Sequence, residues 1–484
     1  MDYYGMKVLI MGLGLHGGGL ESARYLLRQG ADLTVTDLRN EQTLAPSIEQ
    51  LEAARREEGR NAAAVTFVLG RHEMRDFQSA DMVIKNPAVR PDSPYLRDAK
   101  RIETDISLFL AASPARLGAV TGSKGKSGTA SAIHWVLARA REAGILPGAA
   151  WLGGNITVSP LSFLDRLGEA DDVTLELSSW QLGDLKGRIG PTGGPLLKPK
   201  TATLTAIMPD HLDRYSGMET YVADKRIIYQ GQNSADYTIA GGDEWGRHFH
   251  AESRGRPLVY AAAPLPQGVS GGWLEDPKGP GCARLYGLPG CADGAVFDLV
   301  PARPLTPGRH QKLNLLAAGL ALLGTGLPAA FVRESLETFP GIEHRLEQFH
   351  VANGVHFYND SAATIPEAAA AAIEALGSEG PVVLVTGGTD KNLDFSPLVQ
   401  AAGEAKTLVL LAGSGSEKFR VLLDGAGVAY RGPFDSLDRA VLCALESASP
   451  GDQVALSPGC ASFGMFLNEF DRGQQWKEAI RRLA

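Results

Sequence analysis

The stretch "TGSKGKSGT" at Thr121–Thr129 constrains the fold more than any other feature of the chain. It follows an apolar run, Leu117–Val120, and reads as a tight bend between a strand and a helix. A bend of that kind turns backbone N–H groups and a helix N-terminus toward one point, which suits an anion. A Walker loop needs a further glycine where Val120 stands, so the match is to a shorter loop, Gly122-x-x-Gly125-Lys126-Ser127. The chemistry survives the shortening. Backbone groups from Gly122 through Gly125, including those of Ser123 and Lys124, line the bend; Lys126 supplies a point charge for phosphates, and the Ser127 hydroxyl can ligate Mg²⁺.

A second glycine loop, "GLGLHG", spans Gly12–Gly17. It follows the strand-like run "KVLIM" and precedes a helical pattern over Leu20–Gln29, and Asp37 ends the next strand twenty residues beyond Gly17. Glycines here permit a tight turn and close approach of backbone to a diphosphate. Taken alone, the pattern favours a nicotinamide-dependent dehydrogenase, with a plain strand–helix turn as the alternative. It specifies the diphosphate of a nucleotide without saying which nucleotide.

Strands and helices alternate throughout, which implies parallel sheets covered by helices. A chain of 484 residues exceeds one compact core, and we expect three α/β segments: residues 1–112, 113–340 and 341–484. The second segment contains strands Val173–Leu177 and Ala202–Met208 and a long helix over Gly217–Gln230. A small antiparallel insertion follows Ala261–Cys282, and a helix near Lys312–Leu323 closes the segment. The third carries strands "VVLVTGG", "TLVLLAG" and "QVALSPG" and an alanine-rich helix over Glu367–Ala375.

A formal net charge of -8 argues against a broad basic face for nucleic acid. Cys282, Cys291, Cys443 and Cys460 are too sparse for a disulfide framework and are expected reduced. The first residues lack the basic n-region of a signal peptide, and no window offers eighteen uninterrupted apolar residues. A cytoplasmic protein without a membrane span is expected.

Two further residues stand where doubly wound sheets keep their ligands, just past strand ends. Glu176 in "VTLELSSWQL" and His211 in "MPDHLDRY", beside Asp210 and Asp213, could hold a divalent cation against a bound nucleotide. Lys225 in "YVADKRIIY" reads from its spacing as a solvated lysine, or one paired with Glu219 or Asp224.

The motifs "TGSKGKS", "LGGNI", "LELSSWQL", "DHLDRY", "YVADKRIIY", "GRHQKLN", "GIEHRLE", "YNDSAAT", "GGTDKNLDFSPL" and "SPGCASFGMFLNEFDRG" occur in the order seen in the Mur ligases. The resemblance runs nearly end to end and is strongest to the D-glutamate-adding branch. It implies an N-terminal Rossmann-like domain that binds a UDP-sugar, a central P-loop-type ATPase domain and a mobile C-terminal Rossmann-like domain. The implied reaction is ATP-dependent amide formation through an acyl phosphate, on small-molecule substrates, by an enzyme expected to be a monomer.

The resemblance implies roles residue by residue. Gly14, Leu15, His16, Asp37, Arg39 and Asn86 match positions near the uridine nucleotide, and Asn155 one that orients the muramoyl-alanine arm. Gly122, Ser123, Lys124, Gly125, Lys126, Ser127, Asn314, Arg345 and Asp360 match nucleotide-contacting positions. Lys126, Glu176, His211 and Lys225 match the catalytic set. Ser127, Glu176 and His211 would hold Mg²⁺, and Lys225 matches a lysine that CO₂ carbamylates into a further metal-positioning carboxylate. Thr364, Lys391 and Ser462 match positions around the glutamate carboxylates. Here the chain departs from the family: many D-glutamate ligases carry lysine where Ala362 stands in "NDSAAT". A charge-assisted contact of about 1.5–3 kcal/mol is missing unless another cation supplies it. L-glutamate or another amino acid is therefore the alternative substrate, and a dinucleotide-dependent oxidoreductase the alternative class.

Overall fold

The computed structural model describes the chain except residues 1, 16, 60–62, 157, 212–213 and 289–291. Three sheets follow one another along the sequence.

The first is parallel, in the order β3-β2-β1-β4-β5. Its strands are β1 (Lys7–Met11), β2 (Asp32–Asp37), β3 (Val65–Leu69), β4 (Met82–Lys85) and β5 (Ile102–Glu103). Helices α1 (Gly18–Arg28), α2 (Glu41–Glu57), α3 (Met74–Ser79) and α4 (Asp105–Ala112) connect and cover them. Strand order reverses between β1 and β4, the switch point at which such sheets open a crevice beyond their carboxyl ends.

The second sheet has nine strands in the order β14-β13-β12-β11-β10-β9-β6-β8-β7. Its parallel part comprises β6 (Arg116–Thr121), β7 (Ala150–Gly154), β8 (Asp172–Glu176), β9 (Thr201–Leu204), β10 (Tyr237–Gly241) and β11 (Arg256–Ala261). Helices α5 (Lys126–Glu142), α6 (Ser179–Gly183), α7 (Met218–Lys225) and α8 (Glu244–Glu252) accompany it. The expected antiparallel insertion is not separate. Strand β12 (Gly271–Trp273) pairs parallel with β11, and β13 (Gly281–Arg284) and β14 (Val296–Val300) then pair antiparallel, extending the same sheet.

Helix α9 (Arg309–Gly324) does not close this region, because α10 (Ala329–Glu337) follows it. The strand expected over Ala202–Met208 stops at Leu204, since the chain beyond turns to the glycine loop: Thr205 N donates to Thr121 O and Ser123 N to Ala206 O. The long helix expected over Gly217–Gln230 splits into α7 and a tighter 3₁₀ turn, Arg226–Tyr229.

The third sheet runs β15-β16-β20-β17-β18-β19 and is parallel except for β15. It is built from β15 (Glu347–Ala352), β16 (Val355–Asn359), β17 (Val382–Thr386), β18 (Thr407–Leu411), β19 (Arg431–Phe434) and β20 (Gln453–Leu456). Helices α11 (Pro366–Gly377), α12 (Ser396–Ala402), α13 (Ser414–Ala426), α14 (Leu437–Ser447) and α15 (Glu469–Leu483) flank it.

The cores are not divided as the sheets are. One continuous apolar cluster joins Val8, Ile10 and Phe109 of the first region to Phe163, Val173 and Leu175 of the second. The third sheet has its own apolar layer on each face. No helix among the described residues is long and apolar enough to cross a membrane. Cys282, Cys443 and Cys460 are free thiols, whereas Cys291 lies outside the described residues.

Candidate active site

Strand β6 delivers its end to the loop Gly122–Gly125, and α5 begins at Lys126. Gly125 takes φ +90°, and a Cβ there would stand 2.3 Å from Asn314 Oδ1. Only glycine lets the loop turn this close to α9. Ser123 is committed to the protein: its hydroxyl donates to Met208 O at 2.8 Å and lies 2.8 Å from the Tyr221 hydroxyl. Its backbone, not its side chain, is what it offers a ligand.

Two amines converge on one carbonyl behind the loop. Lys126 Nζ donates to Gly122 O at 2.9 Å and to Ser123 O at 3.0 Å, while Lys225 Nζ donates to Gly122 O at 2.9 Å. Lys225 is not the solvated lysine that its spacing suggests. It is 1% exposed, and its ammonium sits 4.5 Å over the Tyr221 ring. Burial, and then the Lys126 charge, push its pKa down to about 7. Burial likewise lowers Lys126, against the pull of Glu176 and Asp210.

Glu176, at the end of β8, is 1% exposed. Its Oε1 accepts from Asn155 Nδ2 at 2.9 Å, and its Oε2 is buried with no hydrogen-bond partner. A buried carboxylate oxygen left unsatisfied calls for a cation or donor from outside the chain. His211, at φ +54°, is exposed; its ring is 4.9 Å from Trp180, and its Nε2 is 3.8 Å from Asp210. Asp213 lies outside the described residues.

Ser123 through Gly128 line a cleft of about 280 Å³ together with Asn314 and Arg345. Thr306, His310, Gln311 and Phe339 also line it, as do Gly341 and Ile342 beside Arg345. Sequence reasoning did not single out the first four, although His310 and Gln311 lie inside the quoted motif "GRHQKLN". Asp360 is absent from this lining. It is buried in the third region, where it accepts from Ser457 Oγ at 2.6 Å and Leu346 N at 3.1 Å, and burial raises its pKa to about 7. It therefore braces the turn that follows Arg345.

A larger cleft, about 760 Å³, opens at the switch point of the first sheet. Gly12, Gly14, Asp37, Arg39 and Asn86 line it, and His72, Arg90 and Tyr95 join them. Asp37 Oδ2 accepts from Gly14 N at 3.2 Å and Oδ1 from Arg39 N at 2.9 Å, so one carboxylate sets the shape of the loop. Leu15 is exposed beside this cleft's loop without lining it, Asn155 belongs with Glu176, and His16 lies outside the described residues.

The proposed glutamate residues come from three neighbouring loops of the third sheet. Gly459 N donates to Ala363 O, and Thr389 and Ala461 bridge. These contacts draw the loops of Thr364, Lys391 and Ser462 together. Lys391 is exposed, and Ser462 is 5% exposed. Arg472, fully buried, donates to Ser361 Oγ, Ser361 O and Cys460 O, stitching two of the loops from behind.

A glycine loop with lysine on the parallel part of one sheet and a nucleotide-sized cleft at the switch point of another define a nucleotide-binding α/β enzyme. Three family models match in order: the MurD-like N-terminal domain over residues 6–107, the Mur ligase middle domain over 120–262, and the Mur ligase glutamate ligase domain over 344–460. The chain belongs to the Mur ligase family. It is 39% identical to a UDP-N-acetylmuramoylalanine--D-glutamate ligase of Treponema pallidum, covering 99% of this chain and 98% of that one. It is 38% identical to a ligase of the same name from Roseiflexus sp., covering 100% and 99%. Among solved structures, UDP-N-acetylmuramate-alanine ligase from Thermotoga maritima matches with TM-score 0.55 at 18% identity, covering 99% of this chain and 100% of that one. The MurF ligase of that organism in complex with ADP matches with TM-score 0.54 at 15% identity, covering 94% and 96%. These two likenesses are of fold.

Proposed function

We propose that the chain is an ATP-dependent ligase that adds D-glutamate to UDP-N-acetylmuramoyl-L-alanine in the synthesis of the peptidoglycan precursor. Full-length relatives of that name support the reaction. The observation that carries the mechanism is local: Lys225, its amine brought to about pKa 7, shares the Gly122 carbonyl with Lys126 behind the phosphate loop.

The switch-point cleft takes the UDP of the sugar substrate, and the cleft between the phosphate loop and Arg345 takes ATP. A carboxylate oxygen of the substrate's alanine attacks the γ-phosphorus, and the bond to the β,γ-bridging oxygen breaks, giving ADP and an acyl phosphate. The glutamate amine then attacks the acyl carbon. The tetrahedral intermediate expels phosphate, the nitrogen loses a proton, and the amide remains. Both steps gather anionic oxygens, so cations fixed in advance lower the barrier. Lys126 serves the phosphates, Arg345 faces them across the cleft, and Asn155 holds Glu176 in place.

Among the described residues no three His, Cys, Asp or Glu side chains gather as a metal cluster. The unpartnered Glu176 Oε2 nonetheless suits an oxygen-preferring ion, with Ser127 beside the phosphates, a carbamylated Lys225, and His211 for a second ion. Magnesium bound there would neutralise phosphate charge and polarise the transferring group. Lys225 is suited to carbamylation because it is the neutral amine that adds to CO₂.

The third region is the mobile part that closes over ATP and keeps water from the acyl phosphate. The division at residues 112/113 and 340/341, a monomeric state and a cytoplasmic location belong to the same proposal. Lys391 is the cation that meets the glutamate carboxylates, and Ala362 adds none beside it. Phosphate release measured with UDP-N-acetylmuramoyl-L-alanine, ATP and each glutamate enantiomer tests the reading. Turnover is expected with D-glutamate, and turnover with L-glutamate alone would overturn it.

A further inference from the structure

Behind the central sheet, at the ends of β6 and β8 opposite the phosphate loop and Glu176, lies a hollow of about 290 Å³. Its floor is a row of small residues across three strands, Thr174, Gly118 and Thr201, paired in register. Ile133 and Leu137 of α5 form an apolar wall. The void exists because β6 has no side chain at this point: a Cβ on Gly118 would approach only Thr201 Oγ1, at 3.1 Å.

Thr174 is fully buried, lines the hollow, and its hydroxyl has no hydrogen-bond partner. An unmade bond on a buried hydroxyl is a standing penalty that a ligand atom can relieve. The mouth is positive. Arg116 pairs with Asp172 at 2.9 Å, Lys200 stands 3.7 Å from Asp236, and Lys198 donates to Thr192 Oγ1 at 2.8 Å. Three cations therefore face two carboxylates at the rim. Arg141, also bound to Asp172, adds a fourth cation nearby.

We propose that this hollow is a second small-molecule site, separate from the substrate clefts. Its ligand has a compact apolar body against Ile133 and Leu137, one hydrogen-bonding group at Thr174, and an anionic end at the rim. The size is near the lower bound for small-molecule pockets, about 300 Å³. None of its lining residues lines the phosphate-loop cleft or the switch-point cleft.

The test uses the full chain and 6-hydroxy-2-naphthoate, an aromatic carboxylate whose ring hydroxyl supplies the group for Thr174, titrated by NMR with and without saturating ATP and UDP. Saturable binding indifferent to both nucleotides is expected. Affinity should fall about tenfold in Thr174→Val, which keeps the shape and removes the hydroxyl. Gly118→Ala, which fills the floor, should weaken binding similarly, and Lys200→Gln should weaken it less. Competition by either nucleotide, equal affinity in the folded Thr174→Val and Gly118→Ala proteins, or no saturable binding would each overturn the proposal.

Discussion

Lys225 holds an amine that is neutral above about pH 7 because it is buried and faces the Lys126 charge. Its pKa is lower folded than unfolded. The unfolded chain therefore binds the extra proton between about pH 7 and the ordinary lysine range, and folding stability rises with pH across that window. The carbamate needs the neutral form, so activity should fall as pH drops through about 7, less steeply when bicarbonate is added. Lys225→Ala should lose on the order of a hundred- to thousandfold in kcat, as for a missing preorganised electrostatic group, with partial recovery in short carboxylates. Full activity in that variant would refute the carbamate role. From its spacing this lysine was indistinguishable from a solvated one, because a helical pattern does not show what packs on it. Tyr221 lies four residues away and could be paired with it in principle, but Gly122 lies 103 residues away and could not.

At the scale of elements, the glycine loop of the first sheet depends, besides Asp37, on a glycine outside the Gly12-x-Gly14-x-x-Gly17 pattern. A Cβ on Gly19 would lie 2.0 Å from Gly12 O, so Gly19 permits α1 to pack against the end of β1. Gly19→Ala should cost about 1–3 kcal/mol by overpacking and displace the loop. Urea unfolding measures the first effect and calorimetry with UDP the second; unchanged UDP affinity would show that the loop does not depend on this approach. Strand–loop–helix order was legible in both glycine motifs, since turn residues and apolar runs are local signals. Strand ends were less so. Only the structure shows Thr205 N bonding the last residue of β6 and Ala206 O accepting from Ser123 N of the phosphate loop.

Across the whole molecule, charged contacts fasten the first region to the second beside their shared core. Lys85 of β4 meets Asp184, just beyond α6, at 2.7 Å, with 3% and 7% of the side chains exposed. Arg188 binds Glu103 at 2.6 Å, and Arg214 donates to the carbonyls of Pro87, Ala88 and Val89 while lying 4.0 Å over Trp180. Asp184→Ala leaves a buried ammonium without its anion and should cost about 3–5 kcal/mol in denaturant unfolding. The pair Lys85→Met with Asp184→Leu should recover most of that. A loss below about 1 kcal/mol for the single change would mean that water screens the pair. The contacts hold the two clefts in fixed relation, which the proposed transfer of a phosphoryl group to a bound carboxylate requires.

The residue order by itself determined the α/β class, the two glycine bends and the family, because these depend on short runs of adjacent residues and on motifs in sequence. Tertiary structure alone decided that Lys225 is buried, that Glu176 keeps an unpartnered oxygen, that Asp360 turns inward and that the first two regions share one core. Each of these depends on desolvation by groups distant in the chain, a quantity that no local pattern carries.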